Sequence, residues 1–388
     1  MDFEADENHR AIREGVRQIC ADYPDSYWAG KDAEGEFPWE FFHAMAGAGW
    51  IGIAIPEDYG GGGMGVDEAA IVLEEVSASG AGMNGATALH LSMFGMHSVV
   101  LHATEEMKKR YLPDVACGKM VVAFGVTEPD AGSDTSAITT RATRDGDYYR
   151  ITGRKVWTSR ALESERVLLL ARTSPRESHI KRTEGMSLFL VDLSSPGIDI
   201  RPIPKMGRNA VRSCEVVYED VAVPAADRVG EEGQGFRYLL SGLNAERILV
   251  AAEALGLGRA ALRRAVEYAN QRIVFGGPIA RNQAISFPLA EAHARLTAAE
   301  LVIRKAAWRL DRQLPVGEEA NIAKFLAAEA GFFAADRAVQ TLGGYGYARE
   351  YHVERYFRES RLLRIAPITQ ELILAYLAEH VLGLARTY

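Results

Sequence analysis

The chain has 388 residues, 48% of them hydrophobic and 25% charged, enough apolar material for two or three cores and no compositional sign of disorder. A formal net charge of −8 argues against a general nucleic-acid binder, which needs a basic face, but leaves room for a local basic pocket. Cys20, Cys117 and Cys214 are isolated and lack CxxC spacing, and the nine histidines show no HExxH or paired-ligand spacing, so neither a disulfide framework nor a metal is expected.

The N-terminal stretch MDFEADENHRAIREGV is acidic and amphipathic, unlike a secretory or transit peptide, and no apolar run is long enough to span a bilayer. A soluble cytoplasmic protein is expected. Stretches such as EAAIVLEEVSASG and TEEMKKRYLPDVACG carry Ala, Glu and Met at helical spacing, so residues 1–120 should form a helical domain, interrupted by the glycine-rich PEDYGGGGMG. The runs YYRITGRKVWTS, RVLLLART, MSLFLVDL, IDIRPIP and SCEVVYEDVAV are β-rich and bounded by turn residues, which predicts a β domain over 121–229. Long Ala/Leu/Arg/Glu segments then return, and 230–388 should again be helical.

Four stretches bear on chemistry. GVTEPDAGSDTSA (125–137) offers hydroxyls and glycine-exposed amides that suit an anion such as a pyrophosphate, although an ordinary polar turn has the same composition. GRKVWTSRA (153–161) sets Trp157 beside Thr158 and Ser159, a wall and hydrogen-bonding edge for a flat ring, where a tryptophan in a strand is more often plain core. QTLGGYGYAREYHVERYFRE (340–359) has close glycines but not the spacing or βαβ context of a dinucleotide fingerprint. In GLNAERILVAAEALGLG (242–258), Glu246 and Arg247 read either as an exposed pair in a first helical turn or, because Leu243, Glu246, Val250 and Leu257 share a stripe, as a carboxylate facing protein.

Together these stretches resemble the acyl-CoA dehydrogenase family of flavoproteins. GVTEPDAGSD is similar to its first signature, and the Q..GG.GY..E....R...E pattern from Gln340 to Glu359 to its second. GWIGIAIPEDYGGGG, GRKVWTS and VEYANQRIVFGGPIARNQAI fall where the family has them, so the likeness runs almost end to end. It implies an α+β multidomain fold: an N-terminal helical domain, a middle β-barrel-like domain and a C-terminal four-helix-bundle-like domain. It also implies FAD, an acyl-CoA substrate, an electron-transfer flavoprotein or similar acceptor, and a homo-oligomer, usually a tetramer. Family members take the C2 proton of the thioester with a carboxylate while hydride passes from C3 to flavin N5. By position, Phe124, Val126, Thr127, Gly132, Ser133, Trp157, Ser159 and Thr369 match flavin or pyrophosphate contacts. Arg272, Phe275, Gln340 and Gly344 match positions reaching the FAD of a neighbouring subunit. Ser133, Leu243, Asn244 and Arg247 match substrate positions.

The base is where this chain departs from the commonest pattern. The family usually carries a catalytic Glu in a YEGT motif after the second signature; here that segment reads RIAPITQEL, and the slot falls on Pro367. A minority, including isovaleryl- and long-chain-type members, carries the base at the position that Glu246 matches, so Glu246 is expected to be catalytic, with Glu371 the nearest other carboxylate after RIAPIT. Because proline has no N–H, the enolate donor that the slot normally provides is missing, a loss typically of about 2.7–4 kcal/mol, unless Ala366 or another group substitutes. The altered segment keeps related chemistry open: enoyl-CoA reduction, carrier-protein-linked oxidation, a flavin oxidase, or a catalytically silent flavin-binding subunit.

Overall fold

The structure, a computed structural model, describes residues 6–178 and 181–386; the first five residues of the amphipathic N-terminal stretch lie outside the described residues. Among the described residues seven α-helices come first: α1 (Glu7–Ala21), α2 (Asp25–Glu34), α3 (Trp39–Gly47), α4 (Val66–Val76), α5 (Gly82–Phe94), α6 (His97–His102) and α7 (Glu105–Ala116). Apolar residues at helical spacing bury one stripe of α1 (Ile12, Val16, Cys20), whereas α5 is buried on every side, as expected of a helix packed between layers.

The middle of the chain is a mixed sheet of β1 (Val122–Gly125), β2 (Arg141–Asp145), β3 (Tyr148–Ser159), β4 (Arg166–Arg172), β5 (Met186–Asp192), β6 (Ile198–Pro202), β7 (Ser213–Pro224) and β8 (Arg228–Val229). Its order is β6-β7-β3-β2-β4-β5-β8, with β1 pairing β4 in parallel. β4 and β5, read from the sequence as continuous apolar runs, are buried along nearly their whole length.

The C-terminal part opens with α8 (Gly235–Gln271), continues through a short hairpin of β9 (Ile273–Val274) and β10 (Gly277–Pro278), and ends in α9 (Gln283–Asp311), α10 (Gly317–Leu342), α11 (Val353–Leu362) and α12 (Gln370–Tyr376). Small residues let α8 and α10 approach closely: a Cβ on Gly331 would lie 2.6 Å from the Ala254 carbonyl oxygen, so a larger residue there would push the helices apart. One apolar core joins α8, α9 and α10 to α4 and α5, so the two helical regions are packed together. This helical, β, helical architecture is the one expected.

Candidate active site

The site is built outward from β1 and β3. On β3, Tyr149, Ile151 and Lys155 alternate inward and are fully buried. Continued alternation would bury Trp157 as well, but a register shift against β7 between Lys155 and Thr158, with Trp157 at φ 60°, turns the indole outward to 56% exposure. The strand tryptophan is thus no core residue. Ser159 follows half-buried, its hydroxyl accepting from Arg208 Nη2 at 3.0 Å.

The loop after β1 lies against the same strand. Val156 N–H donates to the Thr127 carbonyl at 2.9 Å, and buried Lys155 Nζ donates to the Val126 carbonyl and to Glu128 Oε1, each at 2.8 Å. Glu128 also accepts from Thr139 N–H (2.7 Å), Thr139 Oγ1 (2.8 Å) and Thr140 N–H (2.9 Å). Burial alone would raise this carboxyl, but the Lys155 ammonium and these donors hold it at about 2. Val126 and Thr127 are therefore fixed beside Trp157, while Gly132 and Ser133 lie exposed further along the loop. An outward indole flanked by half-buried Thr127 and Ser159 fits a flat heteroaromatic ring with hydrogen-bonding edges.

From Phe124 a chain of contacts runs to α8. Its ring meets Phe94 edge-on at 5.3 Å, Phe94 lies 4.7 Å from the His90 ring, and His90 Nδ1 is 2.9 Å from Glu253 Oε1, at an alignment poor for a hydrogen bond. Glu246 lies two helical turns before Glu253 on α8. It falls deep inside the helix, eleven residues past the start at Gly235, and is 7% exposed. The reading of an exposed pair in a first helical turn is therefore wrong: the helix begins earlier, and the apolar stripe decides. No donor among the described residues bonds its carboxylate. Burial raises Glu246 to about 7, with Glu253 adding to the rise and His90, Arg247 and Lys324 opposing it. Arg247 and Asn244 sit half-buried beside it, joined by a 2.8 Å bond from Arg247 Nη1 to Asn244 Oδ1, and Leu243 is half-buried one turn earlier.

The remaining expected residues form other groups. Arg272 and Gly344 line one cleft of about 520 Å³ with Tyr268, Val274, Thr341 and Tyr345. Gln340 is exposed near it, and Phe275 stands fully exposed at the hairpin tip. Thr369 caps α12, its hydroxyl accepting from Leu372 N–H at 3.2 Å. Pro367 is exposed, and the N–H of Ala366 is already committed to the Leu362 carbonyl at 2.9 Å, so it is not a spare donor. Glu371 is exposed in the first turn of α12, its carboxyl held below the usual range by its own backbone N–H and by Thr369, the opposite of a desolvated base. Sequence reasoning passed over Lys155, whose inward strand parity was the available signal, and Arg160. That guanidinium is fully buried and ties α5 to β1 through the Ala88 carbonyl (2.7 Å), Ser92 Oγ (2.8 Å) and the Val122 carbonyl (3.0 Å).

Three family models match: acyl-CoA dehydrogenase N-terminal domain over residues 6–119, middle domain over 123–221 and C-terminal domain over 233–382. The chain belongs to the acyl-CoA dehydrogenase family, FAD-dependent oxidoreductases acting on CH–CH bonds. It is 38% identical over 390 residues to acyl-CoA dehydrogenase FadE12 of Mycobacterium tuberculosis, covering 100% of this chain and 99% of the relative. It is 35% identical over 381 residues to 3-(aryl)acrylate reductase of Clostridium sporogenes, covering 97% and 99%. The structure of a glutaryl-coenzyme A dehydrogenase with glutaryl-CoA superposes with a TM-score of 0.95 at 30% identity, covering 100% of this chain and 98% of that one. No helix among the described residues is long and apolar enough to cross a membrane, and no group of potential metal ligands occurs among them.

Proposed function

We propose that this protein oxidises an acyl-CoA thioester to the 2-enoyl-CoA, with Glu246 removing the C2 proton. The observation that carries this is the state of Glu246: a buried carboxyl without a bonded donor, raised to about 7. A thioester C2–H is too weak an acid for an ordinary carboxylate, and desolvation brings the base's pKa close to working pH. FAD, when bound, supplies the acceptor for the C3 hydride. Trp157 and Ser159 wall and edge its ring system, Phe124, Val126, Thr127 and Thr369 line it, and Gly132 and Ser133 meet the pyrophosphate. Ser133, Leu243, Asn244 and Arg247 receive the CoA thioester.

Arg272, Phe275, Gln340 and Gly344 serve the cofactor of a second copy. The exposed Phe275 and the open cleft at Arg272 support that reading, which makes the working unit a homo-oligomer, a tetramer by family expectation. Electrons then leave to an electron-transfer flavoprotein or similar acceptor. The likeness to 3-(aryl)acrylate reductase favours a second reading, in which the same residues run the C2–C3 chemistry in reverse and Glu246 donates the proton. Anaerobic mixing of the yellow protein with a panel of acyl-CoAs tests the first reading: flavin bleaching supports it. Bleaching by no thioester, with reoxidation of reduced protein by enoyl-CoAs, supports the second.

A further inference from the structure

At the end of the β3–β7 ladder Ser159 faces Ser213, and Arg208 spans both hydroxyls: its Nη2 donates to Ser159 Oγ at 3.0 Å and to Ser213 Oγ at 2.9 Å. Its Nε is buried without an acceptor, and among the described residues no carboxylate lies at ion-pair distance from the guanidinium. A guanidinium only donates, so Ser159 Oγ is held as an acceptor toward it. The one proton of that hydroxyl meets no acceptor among the described residues, and Ser159 keeps it to give beside the outward Trp157 indole. The turn carrying Arg208 is fixed from three sides. Lys205 Nζ donates to the carbonyls of Gly207 (3.0 Å) and Arg208. Asn209 N–H donates to Asp32 Oδ1 on α2 at 2.8 Å, and Ala210 N–H to Asn84 Oδ1 on α5 at 3.0 Å. These bonds hold Arg208 in left-handed backbone, φ 58°, which a residue other than glycine keeps only where its surroundings impose it.

A cation without a counter-ion, 3.0 Å from a hydroxyl with a proton to give, suits a partner that carries acceptors and becomes more negative in use. Burial lowers Arg208 to about 10, with Glu253 and Glu359 opposing the fall, so it stays a cation at neutral pH. We propose that Arg208 is a positioning residue for the cofactor: it fixes the Ser159 hydroxyl as a donor to the flavin edge and supplies a positive charge that favours the reduced ring. This rests on the reading of Ser159 as the hydroxyl at that edge. The oriented hydroxyl acts on how tightly the ring is held. The charge acts on how readily electrons are taken up: a hydride brings one proton and two electrons, so its uptake adds a negative charge, which a neighbouring cation stabilises.

The test needs no substrate. FAD-loaded parent, Arg208→Met, Arg208→Gln, Arg208→Lys, Ser159→Ala and the variant combining Ser159→Ala with Arg208→Met are compared for FAD affinity, by equilibrium dialysis, and for flavin midpoint potential, against a reference dye. Arg208→Met should weaken FAD binding roughly tenfold. It should also move the balance of reduced to oxidised flavin about tenfold toward oxidised, a fall of about 30 mV for two electrons. The Gln form, which keeps a donor without the charge, should lose as much potential but less affinity. The Lys form, which keeps the charge, should hold the parent potential. On top of Ser159→Ala, the affinity cost of Arg208→Met should shrink to no more than about threefold, because its partner is already gone. Affinity losses that simply add overturn the positioning role, and a parent-like potential in the Met and Gln forms overturns the role of the charge. Either result sinks the proposal even if the variants are less stable to denaturant, since lost packing alone would do that. If the Met form does not fold, the Gln and Lys potentials decide in the same way. Should Ser159→Ala change neither affinity nor potential, the reading of Ser159 falls and the proposal with it, whereas additive losses leave that reading standing and overturn Arg208 alone.

Discussion

Glu128 and Glu246 are both buried glutamates, 4% and 7% exposed, yet their carboxyls move in opposite directions, to about 2 and to about 7. Glu128 sits where β3 meets the loop after β1 and accepts from Lys155, Thr139 and Thr140, so its charge is consumed in holding Val126 and Thr127 in place. Glu246 lies on a helix packed among apolar residues and receives no hydrogen bond among the described residues. Both are little exposed, but Glu246 is the more deeply surrounded, and it lacks the Lys155 cation and the donors that offset burial at Glu128, so the two carboxyls move in opposite directions. One carboxylate is structural, and the other keeps a lone pair free for a proton.

The largest effect should come from breaking the structural one. Lys155→Met leaves Glu128 buried without its cation and should cost about 3–5 kcal/mol, read by denaturant unfolding, with weaker FAD retention because Val126 loses its anchor. Next is the pH dependence of stability. The folded pKa of Glu246 lies above the ordinary glutamate value of 4.5, so the stability it contributes is complete below that value and is lost as pH rises through about 7. Glu246→Gln removes that loss, so the variant should be more stable than the parent by up to roughly 3 kcal/mol at pH 8.5 and no different at pH 4.5, measured by unfolding at the two pH values. Glu128 has the opposite sign: its contribution is present above 4.5 and lost as pH falls toward about 2.

Smaller changes sharpen the contrast at the cofactor and substrate ends. Trp157→Ala should weaken FAD retention up to about tenfold, followed by equilibrium dialysis, with little change in apoprotein unfolding, because the indole is 56% exposed and supports no core. Arg247→Ala should raise the acyl-CoA KM severalfold while leaving reduction near normal at saturating substrate at pH 9, where Glu246 is ionised with or without the neighbouring guanidinium. A large drop in saturated rate at that pH would move Arg247 from substrate binding into the chemistry.

Much of this was legible from residue pattern, and the exceptions share a cause. The five β-rich runs became β3 to β7, and the stripe through Glu246, Val250 and Leu257 became the buried face of α8, because period and apolar content are local properties. Trp157 could not be placed from period alone, since a bulge reverses its side. Lys155 and Arg160 read as ordinary charges in GRKVWTSRA. Their meaning lies in carbonyls contributed by distant segments: Val126 for Lys155, Ala88 and Val122 for Arg160. Likewise, nothing in RIAPIT says that the Ala366 N–H is spent on Leu362.

The central claim is that the unbonded carboxylate on α8 does the proton chemistry, and the most direct measurement is the anaerobic rate of flavin reduction in Glu246→Gln. The substitution keeps the side-chain shape and removes its basicity, so FAD and acyl-CoA should still bind while the reductive half-reaction slows by at least about a hundredfold. Reduction at close to the parent rate, with Glu371→Gln slow instead, would contradict the account and return Glu246 to a packing role.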